Sequence, residues 1–331
     1  MGVAAVNVVN AGLMLAAAAV AFVVPFETFL LAYAVLGPLH YLTQIAWMHE
    51  RRYFAQQRRD GWPLALATVA VTALLLGGLA GAGFATGVVL WCVFWALLAT
   101  ATSDRMLRAA GAVVAAFAVL VVQELTPVQT FALVWLPTLV HVFVFTGLFV
   151  LYGTLKQRSG TGWLSLGVFA ACAAATLLLP VGDLGYVASR YVHEAYAGTM
   201  GSMHANLLRT SGFVDAGEAT GLFAPFVSVA DMLADRVSVQ FGRFVAFAYT
   251  YHYLNWFSKT SVIRWHHVPR PWLVAAGIVW VASVALYAFH YETGLRWLYL
   301  LSLLHVMLEL PLDWKTVLAI PRELWPRRAG A

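Results

Sequence analysis

Apolar runs long enough to cross a bilayer follow one another along almost the whole chain, separated mostly by short polar connections. Crossing about 30 Å of hydrocarbon takes roughly 20 helical residues, and a helix satisfies its own backbone polar groups in lipid. On that basis the pattern predicts ten spans, over residues 3–24, 28–48, 63–84, 85–102, 109–125, 128–152, 163–179, 239–258, 272–291 and 295–312. No alternating strand pattern competes with them. The expected fold is all-α: a polytopic integral membrane helical bundle forming a single transmembrane domain over residues 1–331.

The polar positions orient this bundle. Arg51, Arg52, Arg58 and Arg59 follow the second span, Arg105 and Arg108 the fourth, and Lys156 and Arg158 the sixth. Lys259, Arg264 and Arg270 follow the eighth, and Lys315, Arg322, Arg327 and Arg328 the tenth. Every cluster falls on one side, which the positive-inside rule makes cytoplasmic. Both termini are then cytoplasmic, as in a multi-pass protein of a bacterial-type inner (plasma) membrane. No Lys or Arg precedes Arg51, so the basic region of a secretory signal is missing and the first run reads as a retained helix.

One long connection, 180–238, falls on the outer side and holds Asp183, Arg190, His193, Glu194, His204, Asp215, Glu218, Asp231 and Asp235. Within it Phe223, Phe226, Val227, Ala230, Leu233 and Val237 recur at helical spacing, with Asp231 and Asp235 on another face. That pattern suits one helix lying in the headgroup plane. Residues 318–325 suit a similar place on the inner surface. Gly77 and Gly81, with Gly83 beyond, form a small-xxx-small run that suits close helix packing.

Composition changes the picture only by exclusion. With 62% hydrophobic residues, 11% charged and a mean hydropathy of +0.78, the chain is no water-soluble globule. The net charge of +5 lies in the connections and forms no basic face, so no nucleic acid is expected as a partner. Cys92 and Cys172 lie inside apolar runs and read as inert thiols. Many of the thirteen Trp stand near span ends, as in an aromatic belt. Walker, GxGxxG and GxSxG motifs are absent.

The candidate chemistry is intramembrane histidine. His40, His141, His252 and His305 lie within spans running from outside to inside. At about 1.5 Å per residue they stand roughly 14, 16, 10 and 15 Å from the following inner connections, in one layer of the inner leaflet. Gln44 follows His40 by four residues, Glu309 follows His305 by four and Asn255 follows His252 by three, so each pair shares a helix face. A carboxylate at mid-helix costs on the order of 2.5–3.5 kcal/mol unless partnered. Pro38, Pro137 and Pro311 each remove a helical hydrogen bond beside these residues. A lone membrane histidine is ordinarily an interhelical hydrogen-bond partner worth about 1 kcal/mol. Four in one layer with a carboxylate point instead to a metal, haem or proton-handling site. His40, His252 and His305 are the first expected ligands and His141 the next. Glu309 would be a ligand or a catalytic base, while Gln44, Asn255, Tyr249 and Tyr251 would supply orienting hydrogen bonds. Two further groupings are expected only if the chain brings them together: His49, Glu50, His266 and His267 inside, and His193, His204, His290 and Glu292 outside. The triplet His40-Tyr41-Leu42 is matched by His252-Tyr253-Leu254, which would place two helices in related positions.

The segment Gly37-Pro38-Leu39-His40, with Gln44 after it, resembles the Gly-Leu-Pro-His motif of the Brp/Blh-type bacterial β-carotene dioxygenases, and the aromatic run from Phe247 to Tyr253 is similar to their later histidine segment. Pro and Leu are exchanged, Gln44 replaces an acid, and Trp256 stands where another histidine is expected. The resemblance implies a polytopic, iron-dependent, oxygen-using enzyme, with His40 and His252 carried over as ligands. The leading expectation is accordingly an iron metalloenzyme acting on a lipophilic molecule such as a carotenoid, quinone or acyl lipid. The alternatives are a cytochrome b-like haem carrier, a proton-coupled transporter, or a structural subunit held by a partner or by other copies.

Overall fold

The computed structural model describes residues 2–181, 186–215 and 221–325, without the side chains of Ser261 and His266; Asp183, Glu218, Arg327 and Arg328, singled out above, lie outside the described residues. All regular structure among the described residues is helical. In chain order the helices are α1 (Val3–Val23), α2 (Pro25–Leu31), α3 (Gly37–Glu50), α4 (Trp62–Leu76), α5 (Ala82–Ala101), α6 (Arg105–Val122), α7 (Thr126–Thr130), α8 (Thr146–Gln157) and α9 (Gly160–Leu178). There follow α10 (Arg190–Tyr196), α11 (Thr199–Thr210), α12 (Val229–Ala234), α13 (Arg236–Ser258), α14 (Thr260–Ile263), α15 (Arg270–Phe289) and α16 (Tyr291–Leu324). A π-helical turn (Ala32–Leu36) joins α2 to α3, and a longer π-helical stretch (Phe131–Phe145) joins α7 to α8.

Among the described residues, nine helices are long and apolar enough to cross a membrane. The expected run over 239–258 lies in α13, a helix of 23 residues that stands outside this apolar set. It carries Arg243, three tyrosines, His252 and Asn255, and 16 of its residues are buried. Gly77 and Gly81 do not pack one helix on another: they cap α4 and α5, and the turn between them passes through Gly78 at φ +66°, a conformation that favours glycine. The single amphipathic helix expected over 223–237 is also absent. Residues 221–228 turn irregularly, and Ser228 and Asp235 each accept a backbone N–H to start the separate helices α12 and α13. Pro311 does not end a helix either, since α16 runs through it and through residues 318–324.

The described residues fall into two compact units. The first comprises residues 1–40, 159–264 and 277–297, and the second residues 41–158, 265–276 and 298–331. In the first, α1 packs on α9 and α13, and α13 also packs on α2 and α9. The small faces of Ala17, Ala21 and Gly242 suit such close approach; a Cβ on Gly242 would come within 2.8 Å of the Phe26 ring. In the second, α5 packs on α4, α6 and the π-helical stretch, around buried Leu64, Val89, Cys92, Leu136 and Met307.

One buried ion pair ties the second unit at an end of α6. Arg108 donates to Asp60 Oδ1 at 2.7 Å, to the Thr102 carbonyl at 2.7 Å and to the Ala99 carbonyl at 3.3 Å. Asp60 Oδ2 accepts the Gln57 amide, so both charges have several partners. Removing one member strands the other: Arg108→Ala is expected to lower stability by about 3–5 kcal/mol. The check is the unfolding midpoint in detergent, where the double variant Arg108→Met, Asp60→Leu is expected to recover much of the loss.

Candidate metal centre

In the first unit the opening turn of α3 carries His40 and α13 carries His252. Their Nε2 atoms lie 3.2 Å apart, with the rings edge to face at 73° and centroids 4.8 Å apart. Both imidazoles are buried, and the Tyr253 and Trp256 rings close around His40. The approach to this turn is the π-helical segment Ala32–Leu36, whose Val35 carbonyl accepts the Trp280 indole N–H at 2.8 Å. Pro38, which has no N–H to donate, follows directly. The two matched His-Tyr-Leu triplets thus present their histidines to each other.

The second unit repeats the arrangement. His141 on the π-helical stretch and His305 on α16 bring their Nε2 atoms to 3.1 Å, with the rings at 77° and centroids 4.9 Å apart. Pro137 lies inside the π-helical stretch one turn before His141. Such i→i+5 segments are rare and concentrate at functional sites. Tyr41 stacks on His305 at 4.1 Å and 22°, holding its ring plane.

Carboxylates complete the second pair. Glu309, one turn beyond His305, places Oε2 3.8 Å from His141 Nε2, and the Gln44 carboxamide hydrogen-bonds the Glu309 carboxylate. Asp313 follows one turn later on the same helix face, within electrostatic reach of Glu309. Gln44, Glu309 and Asp313 are each 2% exposed. Among the described residues, Gln44 Oε1, Glu309 Oε2 and both Asp313 oxygens have no hydrogen-bond donor. Two imidazoles, a carboxylate and a stacked tyrosine, all buried, can bind a transition-metal ion or hold protons.

The expected helpers divide differently. Tyr249 turns away from His252 into an aromatic group with Phe29 and Tyr33, at centroid distances of 5.0 and 6.0 Å. Asn255 accepts from Tyr251 at 3.3 Å, and Tyr251 also donates to Asn10, which accepts from Ser258 as well. That network centres on Asn10. Its centre escapes the sequence pattern because one asparagine in an apolar run carries no spacing signal. Asp313 does carry one, the i, i+4, i+8 series with His305 and Glu309, but it lies beyond the apolar run that ends at 312.

Neither outlying histidine grouping forms a metal-sized donor set among the described residues. His49 bonds Tyr53 at 3.0 Å, and His266's side chain lies outside the described residues. In the other grouping His290 bonds Thr293, while Glu292 accepts from Thr199 and Arg296. His204 is buried among Phe26, Tyr196 and Phe241, with Nε2 3.0 Å from Ser238 Oγ.

No family model, curated protein or solved structure matches the chain.

The burial of His204 has a measurable consequence. Loss of solvent pulls its pKa from the ordinary 6.5 down to about 4. The unfolded chain therefore binds the proton first, and the stability that neutral His204 contributes is complete above pH 6.5 and lost as pH falls from 6.5 towards 4. The loss amounts to about 3 kcal/mol at about 1.4 kcal/mol per pH unit. Thermal unfolding at pH 7.5 and 5 is expected to show this decline in the wild type and a flatter one in His204→Gln.

Proposed function

We propose that the chain is an integral membrane metalloenzyme whose iron is held by His141, His305 and Glu309. The observation that carries this reading is the 3.1 Å separation of the two Nε2 atoms with Glu309 Oε2 at 3.8 Å. Two nitrogens sharing one ion at about 2.1 Å stand about 2.9–3.4 Å apart in cis-octahedral or tetrahedral geometry. Two histidines and a carboxylate, leaving further positions open, form the donor set of non-haem iron oxygenases. The resemblance of the His40 segment to the Brp/Blh-type dioxygenases supports the same class and favours an extended lipophilic substrate, a carotenoid before a quinone or acyl lipid. A haem held axially needs its two nitrogens about 4 Å apart across a porphyrin. Within its own unit, neither pair has that spacing or room between its rings. The 3.2 Å pair His40–His252 is a second two-imidazole donor set, with Tyr253 and Trp256 around it.

The reading places the chain in a bacterial-type inner membrane with ten spans and both termini cytoplasmic. Burial supports counting α13 as the tenth. Hydropathy penalises its polar side chains as though lipid touched them, whereas 16 of 23 residues are buried. Conversely α6 and α15 expose Val114, Phe117, Val121, Ile278 and Val281, which water would not tolerate as continuous patches.

Protein purified in mild detergent without chelator is expected to hold iron near stoichiometry with no Soret band. The double variant His141→Ala, His305→Ala is expected to lose at least about nine-tenths of it, a drop of over 1.4 kcal/mol in binding at working metal levels. Full retention by that variant overturns the assignment. For the topology, cysteines introduced near residues 2 and 325 are expected to react with a membrane-impermeant thiol reagent only in inside-out vesicles; labelling of the two from opposite sides removes α13 from the spans.

A further inference from the structure

A single ion held by His141, His305 and Glu309 leaves most of the neighbouring acceptors unexplained. Gln44 Oε1, Asp313 Oδ1 and Asp313 Oδ2 are buried oxygens with no hydrogen donor among the described residues. They come from two helices, α3 and α16, and meet at Glu309: Gln44 through a hydrogen bond to its carboxylate, Asp313 through the i+4 face of α16. Two carboxyl groups in an apolar surround are accommodated by taking up protons or by holding a cation, and only a cation also satisfies the Gln44 carbonyl oxygen.

We propose that the centre is dinuclear, with a second, harder cation held by Glu309, Asp313 and Gln44 beside the imidazole-bound ion. The inference rests on the metal-centre reading above in that Glu309 bridges the two ions. The donor chemistry divides accordingly. Imidazole nitrogen suits iron, while carboxylate and carboxamide oxygen suit manganese, magnesium or iron held through oxygen. Bridged pairs of this kind stand about 3.5–4 Å apart, a span that fits one carboxylate with an oxygen for each ion. Gln44 takes a specific part: its amide N–H₂ donates to Glu309, which turns its carbonyl oxygen outwards as a neutral ligand. The site then needs no further positive side chain, and the nearest basic residue along α16, Lys315, places its Nζ over the Phe54 ring, 5.8 Å from the centroid.

The test uses full-length protein in detergent, stripped of metal and reloaded with Mn(II) alone. Two ions per chain and an exchange-coupled electron paramagnetic resonance spectrum are expected for the wild type. Asp313→Asn is expected to hold one ion, with the six-line signal of isolated Mn(II), and Asp313→Glu to restore two. One ion per chain in the wild type, or two retained by Asp313→Asn, overturns the second site while leaving the imidazole centre standing; the carboxylates then hold protons instead. No bound ion in the wild type, with Mn(II) or with iron, removes the metal-centre reading itself. The spectrum of the wild type decides the matter even if Asp313→Asn fails to fold.

Discussion

Two ring nitrogens 3.1 Å apart cannot both carry a proton, and the rest of the second unit is arranged around that restriction. Either one imidazole donates to the other, or both lone pairs turn to the same cation. Water is excluded from the choice, because both rings are 2% exposed. Tyr41 stacks on His305 and holds its ring plane, while the π-helical stretch carries His141. The first unit obeys the same restriction at 3.2 Å, with Tyr253 and Trp256 around His40. A polar contact of this kind is tolerable in an apolar bundle only where neighbouring side chains complete it.

The backbone contributes as much as the side chains. Pro38 and Pro137 withhold N–H groups beside the two imidazole pairs, and in each case the chain absorbs the loss in a π-helical segment and does not simply break. An i→i+5 turn widens the helix and shifts which side chains face inward, so a histidine beyond it points where an α-helical register would not put it. Pro311 behaves otherwise. It sits inside α16 between Glu309 and Asp313, and the helix carries both carboxylates on one face without interruption.

The helical class, the positions of most of the membrane-length apolar helices and the four buried histidines themselves are legible in the sequence, because each rests on a local property: run length, periodicity or residue type. The pairing of His40 with His252 and of His141 with His305 is not, since position along a run leaves the azimuth of each helix open. Tyr249 and Asn255 illustrate the limit. Both stand within a turn of His252, yet one faces Phe29 and the other joins Asn10, because a helix of 23 residues buried on almost every side has several partners to serve. The glycines of 77–81 form a turn because a continuous apolar run can hide a reversal wherever glycine supplies the positive φ. Residues 223–237 break into separate elements because Ser228 and Asp235 each begin a helix of their own.

The contrast between α13 and α6 also governs how this chain can drift. On α6 only Arg108, Ala115 and Val119 of 18 residues are buried, so nearly any apolar side chain serves elsewhere along it. On α13, 16 of 23 positions are enclosed by neighbours of fixed shape, and each substitution there needs a compensating one opposite. Descendants of one ancestor would therefore diverge fastest along the sparsely enclosed apolar helices, which hold much of the apolar composition, and slowest along the one helix that composition alone passes over. Kinship in such a lineage is recorded in the spacing of a few enclosed polar residues, far more than in the bulk of the letters.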